Sequence, residues 1–144
     1  MVPILRGRIH TRVFLLGVVG ALWTLLITPA VPPHSAPLQA RYIATFTVLG
    51  VVLCVGLAWE CVYHLLQQLR WEKDWPTLFG LLTGINEAVV AWLIVSNVTL
   101  PGHPTVLGRA FLLHFITVWL VTWMFVNGPM RVLSLRWRFR GGRL

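Results

Sequence analysis

YIATFTVLGVVLCVGLAWECVYHLL, residues 42–66, is an apolar run of the length that a helix needs to cross a lipid bilayer. At a rise of about 1.5 Å per residue, about 20 residues cover the roughly 30 Å of hydrocarbon. Three further apolar runs occupy residues 13–31, 76–98 and 107–126. The sequence therefore predicts an all-α membrane protein with a single domain over residues 1–144. Its four transmembrane helices are expected to form a compact bundle with short loops, followed by a basic tail at 127–144.

The overall composition also favours a membrane location. Hydrophobic residues make up 57% of the 144 residues and charged residues 11%, and the mean hydropathy is +0.76. These values lie outside the balance of a soluble domain. The chain has no CxxC pair, no Cys/His cluster of zinc spacing and no Gly-rich phosphate loop, so we expect neither a cofactor nor a metal. Cys54 and Cys61 are about 10 Å apart along a helix, too far for a disulfide, and are expected to be buried packing residues.

The basic residues lie mostly on one side of the predicted membrane. Ten of the twelve precede the first run, separate the second from the third, or follow the fourth, whereas Arg41 and Arg109 lie on the other side. Because cytoplasmic segments are enriched in basic residues, both termini are expected in the cytoplasm. This placement explains the formal net charge of +8 without nucleic acid as a partner. Only Lys73 is a lysine, which is typical of a high-GC genome, so we expect a bacterial inner membrane.

A signal peptide at residues 1–30 is the competing interpretation of the N-terminal run. It is disfavoured because Pro29 lies within the segment where cleavage would occur. We therefore expect the segment to be retained as the first transmembrane helix.

Polar side chains at membrane depth are the main candidates for a functional site. A charged side chain there costs at least a few kcal/mol, so Glu60 and Glu87 both require a reason to be present. Together with His64, Asn86 and His114, they are predicted to form an intramembrane polar seam across the bundle interior. In a static role, Glu60 would bond His64, and a protonated Glu87 would bond Asn86, a threonine or His114. In a transport role, the same groups would relay protons or coordinate a cation.

Small residues accompany these polar groups and predict close helix packing. The third run has Gly80, Thr83, Gly84, Glu87 and Ala91 on one face. The second run is predicted to turn a similar sector inward, comprising Gly50, Cys54, Gly56, Leu57, Glu60, Cys61 and His64.

Two segments outside the apolar runs are candidates for contact with the membrane surface or a partner. The charged turn between the second and third runs contains Trp71, Asp74 and Trp75, with Asp74 able to cap the next helix and the tryptophans able to anchor at the interface. From residue 133 to 140, apolar and polar residues alternate, which predicts an extended tail. The candidate contact residues of the tail are Arg136, Trp137, Arg138, Phe139 and Arg140. The alternative for this tail is a disordered basic segment.

Two function classes follow from these patterns. The favoured one is a non-enzymatic subunit or scaffold of a larger membrane complex, with the lipid bilayer and a membrane protein or a second copy of the chain as partners. The alternative is a small proton- or cation-coupled transporter that uses Glu60, Glu87 and His114. An enzyme is disfavoured because the spacing brings no nucleophile, base and oxyanion donor together.

Overall fold

The computed structural model describes residues 4–72, 76–98 and 105–139, and its regular elements are all helical. Four helical segments are long and apolar enough to span a membrane: Leu5–Ala30, Leu38–Leu69, Thr77–Asn97 and Gly108–Leu133. The predicted all-helical architecture, with four helices long and apolar enough to span a membrane, is therefore confirmed.

The first span is a composite of four pieces. It contains α1 (Leu5–Phe14), a π-helical turn (Leu15–Gly20), α2 (Ala21–Ile27) and a 3-10 turn (Thr28–Ala30). The remaining helices are α3 (Leu38–Leu69), α4 (Thr77–Asn97), α5 (Gly108–Asn127), α6 (Pro129–Leu133) and α7 (Leu135–Phe139). The bounds of α4 and α5 agree with prediction to within one residue.

The first span begins eight residues earlier than its apolar run. The prediction started it at residue 13 because arginines normally mark the membrane boundary, but Arg8 and Arg12 are both buried inside the bundle. Carboxylates on other helices compensate these charges, so the helix begins before the apolar run. The helix α3 likewise continues past the predicted end at residue 66, as far as Leu69, because the Gln67 side chain is buried against Arg8. With 32 residues, α3 is about 48 Å long, well over the thickness of the hydrocarbon layer.

A row of buried residues at intervals of four runs along the whole first span. On a regular α-helix of 3.6 residues per turn, two residues four positions apart point in directions that differ by about 40° around the helix axis. Over the five intervals of this row, the direction would change by about 200°. The wider π-helical turn places more residues in each turn and rotates the row back. The two halves of the span therefore face the same interior. The row consists of Arg8, Arg12, Leu16, Gly20, Thr24 and Thr28.

The spans are antiparallel neighbours. The N-terminal half of the first span contacts the C-terminal half of α3, and α4 in turn contacts α3 and α5. α5 returns to pack against the first span and closes the circle. Both ends of the described chain consequently lie at one end of the bundle, which we call the terminal end; the other is the loop end. An apolar core fills the middle and comprises Leu16, Val48, Leu49, Val52, Ala91, Phe111, Phe115 and Val118.

The tail differs from its prediction. An extended form was expected over residues 133–140, but the described part of this segment forms the short helix α7 (Leu135–Phe139), which follows α6. Trp137 explains the difference, because its side chain is only 5% exposed and its indole Nε1 donates a 2.8 Å hydrogen bond to Thr11 Oγ1 on α1. This anchor to the bundle outweighs a local alternation of only eight residues.

The two cysteines also differ from expectation. Cys54 and Cys61 are free and exposed on the outer face of α3. The predicted inward-facing sector of α3 was therefore too wide. Gly56 and Glu60 face the interior, whereas Gly50, Cys54 and Cys61 face outward.

Candidate functional site

A buried cluster of two arginines and two glutamates joins three of the four spans near the terminal end. Arg12 Nη1 and Nη2 donate to Glu87 Oε2 and Oε1 at 2.6 and 2.7 Å, which is a bidentate ion pair. Arg12 Nε and Nη2 also donate to Glu60 Oε1, at 3.0 and 2.8 Å. One guanidinium therefore bridges a carboxylate from α3 and a carboxylate from α4. The planar fork of arginine suits such two-sided recognition.

Arg8 extends the cluster one turn towards the terminal end. Its Nη1 donates to Glu60 Oε2 at 3.2 Å, and its Nε and Nη2 donate to the amide oxygen of Gln67 at 3.1 and 2.7 Å. Glu60 is consequently shared between both arginines, and Gln67 supplies a neutral acceptor. Two positive and two negative charges balance within the cluster.

Two glycines provide the space for the cluster. A Cβ atom at Gly56 would lie 2.8 Å from Arg12 Nη1 and 3.1 Å from Glu87 Oε2. A Cβ at Gly84 would lie 2.4 Å from Trp119 Nε1. The Trp119 ring lies 5.4 Å from Arg12 Cζ, close enough for a cation–π interaction, and its Nε1 donates to the Leu81 carbonyl. Absence of a side chain at these two positions is thus a geometric requirement of the cluster.

The structure brings together only part of the predicted polar seam. Glu60 and Glu87 meet at Arg12, and Glu87 is 0% exposed. Asn86, predicted beside Glu87, is exposed on the outer face of α4, since adjacent residues on a helix diverge by about 100°. The predicted bond between Glu60 and His64 is not formed, because the Glu60 oxygens accept from the arginines. His64 is half-buried, and its Nδ1 has no hydrogen-bond partner in the part of the chain that is described.

His114 forms a separate polar group towards the loop end. It is 2% exposed, and its Nε2 lies 2.9 Å from Thr24 Oγ1. Thr28 Oγ1 donates to the Thr24 carbonyl at 2.6 Å and lies 2.8 Å from Thr45 Oγ1. His114 Nδ1 is buried with no partner among residues 4–72, 76–98 and 105–139. The first span therefore presents charged groups in one half and hydroxyl groups in the other.

The apolar core separates His114 from the arginines, so the seam is not a continuous ladder of ionisable groups. Three cavities nevertheless follow one another along the bundle axis. A cavity of about 60 Å³ at the loop end reaches His114, a void of about 10 Å³ lies between His114 and Trp119, and a cavity of about 230 Å³ reaches Trp119 from the terminal end. His114 and Trp119 are the side chains that divide them.

The largest of these three, which we call the terminal cavity, is lined by all four spans and the tail. Its floor contains Arg12, Glu60 and Trp119, and its rim contains Thr77 and Arg131. At the rim, Arg131 Nη2 donates to Thr77 Oγ1 at 3.2 Å. The cavity thus leads from the surface of the bundle to the buried ion cluster.

No protein-family model, curated protein or solved structure matches this chain. Across the described residues, no group of three or more His, Cys, Asp or Glu side chains is placed to hold a metal ion.

The predicted surface residues are only partly described. Trp71 is 96% exposed. Arg136 and Arg138 belong to α7, where Phe139 is exposed and Trp137 is buried. Asp74, Trp75 and Arg140 lie outside the described residues.

Sequence reasoning missed Arg8, Arg12 and Gln67. Two signals were available: Arg8 and Arg12 continue the i, i+4 row that passes through Leu16 and Gly20, and two carboxylates at membrane depth require two compensating cations. Both signals point to α1, which carries these arginines next to an apolar run.

Proposed function

We propose that this chain is a non-enzymatic scaffold subunit of a larger membrane assembly, located in a bacterial inner membrane with both termini in the cytoplasm. The orientation is supported by the distribution of basic residues. Even without Arg8 and Arg12, which are compensated inside the bundle, eight basic residues lie on the side of the termini and two on the other.

The observation that carries the subunit proposal is a row of small residues on the outer face of α3. Gly50, Cys54, Ala58 and Cys61 are exposed at intervals of four, four and three, and a Cβ at Gly50 would have open space around it. Beside this row, Ile43 and Ile94 border a shallow apolar groove. Rows of small residues let two membrane helices approach closely, and α3 already uses its other face for the bundle. A helix of a partner protein or of a second copy would fit the row.

The ion cluster supports a static role for the interior. Its charges balance, and Arg12 holds α3 and α4 through hydrogen bonds of 2.6 to 3.0 Å. Breaking one partner of a buried ion pair typically costs about 3–5 kcal/mol, so the cluster favours a single arrangement of the spans. A rigid bundle is what a scaffold requires.

The experiment compares Gly50→Leu with Gly17→Leu by native electrophoresis of the full chain solubilised from membranes in mild detergent. Gly17 is the matched control, because it is also an exposed glycine with open space around its Cβ, but it lies on the first span. We expect wild type and Gly17→Leu to migrate as the larger complex and Gly50→Leu to migrate as a smaller species. A wild-type chain that migrates as a lone monomer would overturn the proposal.

A proton- or cation-coupled transporter is the second candidate, favoured by the three cavities in line. Such a path would require first one and then the other of the His114 and Trp119 side chains to move out of the way. His114 contacts both the loop-end cavity and the central void. The chain is reconstituted in vesicles containing a pH-sensitive dye, and flux is compared between wild type, His114→Gln and Thr117→Val on the neighbouring face. Coupled flux that only His114→Gln abolishes would favour transport over the scaffold; no flux in wild type would exclude proton coupling.

A further inference from the structure

We propose that the terminal cavity binds a phosphate-bearing anion, presented either as the headgroup of an anionic phospholipid or as free phosphate. The proposal is independent of the scaffold function and concerns a different surface. It rests on the cavity's charge, its position and its mixed lining.

The charged groups around the cavity have an excess of arginine. Among the residues that the structure describes, Arg8, Arg12 and Arg131 contribute to the lining, against Glu60 alone. Counting Glu87, which pairs with Arg12 from behind the lining, one positive charge remains. An anion entering the cavity therefore meets a net positive field in a region of low dielectric constant.

The three guanidinium groups lie at increasing depth. Arg131 is at the exposed rim, Arg8 is one turn of α1 inside the bundle, and Arg12 lies about 6 Å deeper. Guanidinium groups recognise phosphate oxygens through paired N–H donors. Arg8 and Arg12 already donate to Glu60, Glu87 and Gln67, so Arg131 at the rim is the guanidinium that we expect to make this contact. The hydroxyl groups of Thr11 and Thr77 add neutral polar groups beside them.

The other walls of the cavity are apolar and aromatic. Leu15, Val126, Trp119 and Trp123 lie along the first span and α5, so a ligand that carries hydrocarbon next to its phosphate would contact both kinds of surface. The volume of about 230 Å³ is below that of typical drug-sized ligand sites, which suits a headgroup more than a whole lipid. Basic pockets between transmembrane helices on the cytoplasmic side are known to bind acidic lipid headgroups.

The tail forms one side of the entrance. Trp137 lines the cavity and is held to Thr11, while Arg131 on the preceding helix reaches Thr77. The anchoring of α6 and α7, which the alternating sequence did not predict, therefore completes the site.

The test uses the purified full chain in a non-ionic detergent, with phosphatidylglycerol, phosphatidylcholine and inorganic phosphate as separate probes. Thermal unfolding is followed by intrinsic tryptophan fluorescence, and bound lipid is counted by native mass spectrometry. Arg131→Gln is the test variant, since Arg131 is exposed and outside the buried ion cluster. Arg109→Gln is the control, because it removes the same charge from an exposed position at the loop end of the same span.

We expect phosphatidylglycerol, but not phosphatidylcholine, to raise the unfolding temperature of wild type. Arg131→Gln should weaken this apparent affinity about fivefold, as expected for the loss of one basic residue at a membrane surface, while Arg109→Gln leaves it unchanged. If inorganic phosphate alone raises the unfolding temperature of wild type as much as phosphatidylglycerol does, the site is assigned to free phosphate. The proposal is overturned if neither anion stabilises the chain, or if the two variants weaken binding equally.

Discussion

Replacing Glu87 by Gln is expected to destabilise the bundle far more than a conservative exchange of similar shape would suggest. Glu87 is 0% exposed and accepts two hydrogen bonds of 2.6 and 2.7 Å from Arg12. A neutral amide leaves two arginines against one remaining carboxylate, Glu60, inside the bundle. Loss of one partner from a buried ion pair costs about 3–5 kcal/mol, and we expect a value in that range.

The matched variant removes both members of the pair. In Arg12→Met with Glu87→Met, Arg8 and Glu60 still balance one another, so the double variant should lose less stability than Glu87→Gln alone. Unfolding free energies are measured by denaturant titration in detergent micelles, followed by tryptophan fluorescence. Two results would refute the assignment of Arg12 and Glu87 as a stabilising buried ion pair. One is a Glu87→Gln variant as stable as wild type, and the other is a double variant less stable than Glu87→Gln.

Three further predictions concern packing, the tail and the π-helical turn. Gly84→Ala should lower the free energy of unfolding by about 1–3 kcal/mol, because its Cβ would lie 2.4 Å from Trp119 Nε1, whereas Gly17→Ala should not; denaturant titration distinguishes them. Trp137→Phe removes the 2.8 Å bond to Thr11 Oγ1 and should cost about 0.5–1.5 kcal/mol, with faster proteolysis after residue 128 as the measurement and an unchanged cleavage rate as the contrary outcome. Deleting the exposed Val18 should convert the π-helical turn into an ordinary α-helical turn that keeps both halves of the first span facing the interior, so the unfolding temperature should fall by less than on deletion of the exposed Leu22 within α2, which rotates Thr24 and Thr28 by about 100°.

The spans were predictable because length and hydropathy suffice to locate a membrane-compatible helix. Pro76 before α4 and Gly128 after α5 set sharp boundaries, and those helices matched to within one residue. The early start at Leu5 was not predictable from hydropathy, because a hydropathy scale places arginines such as Arg8 and Arg12 outside the membrane. Only the positions of the compensating carboxylates in three dimensions allow these arginines inside.

The candidate site was half predictable for a similar reason. Glu60 and Glu87 stand out because carboxylates at membrane depth are rare, and the glycines near Glu87 correctly indicated close packing. The partner assignment failed, because His64 and Asn86 are near the glutamates in sequence whereas Arg12 is 48 and 75 residues away. Local spacing also could not reveal that Trp137 would fold back onto Thr11, a contact across 126 residues.

The separation of Arg12 from its carboxylates has a consequence for biosynthesis. At about 5–20 residues per second, Glu87 leaves the ribosome about 4–15 s after Arg12, because 75 residues lie between them. During that interval the first span exists without α4, and we expect its long arginine side chains to reach towards polar surroundings instead of the interior. Arrival of Glu60 and then Glu87 allows Arg12 to move inward. We therefore expect completion of the ion cluster to mark the time at which the nascent chain changes from separate helices to one bundle.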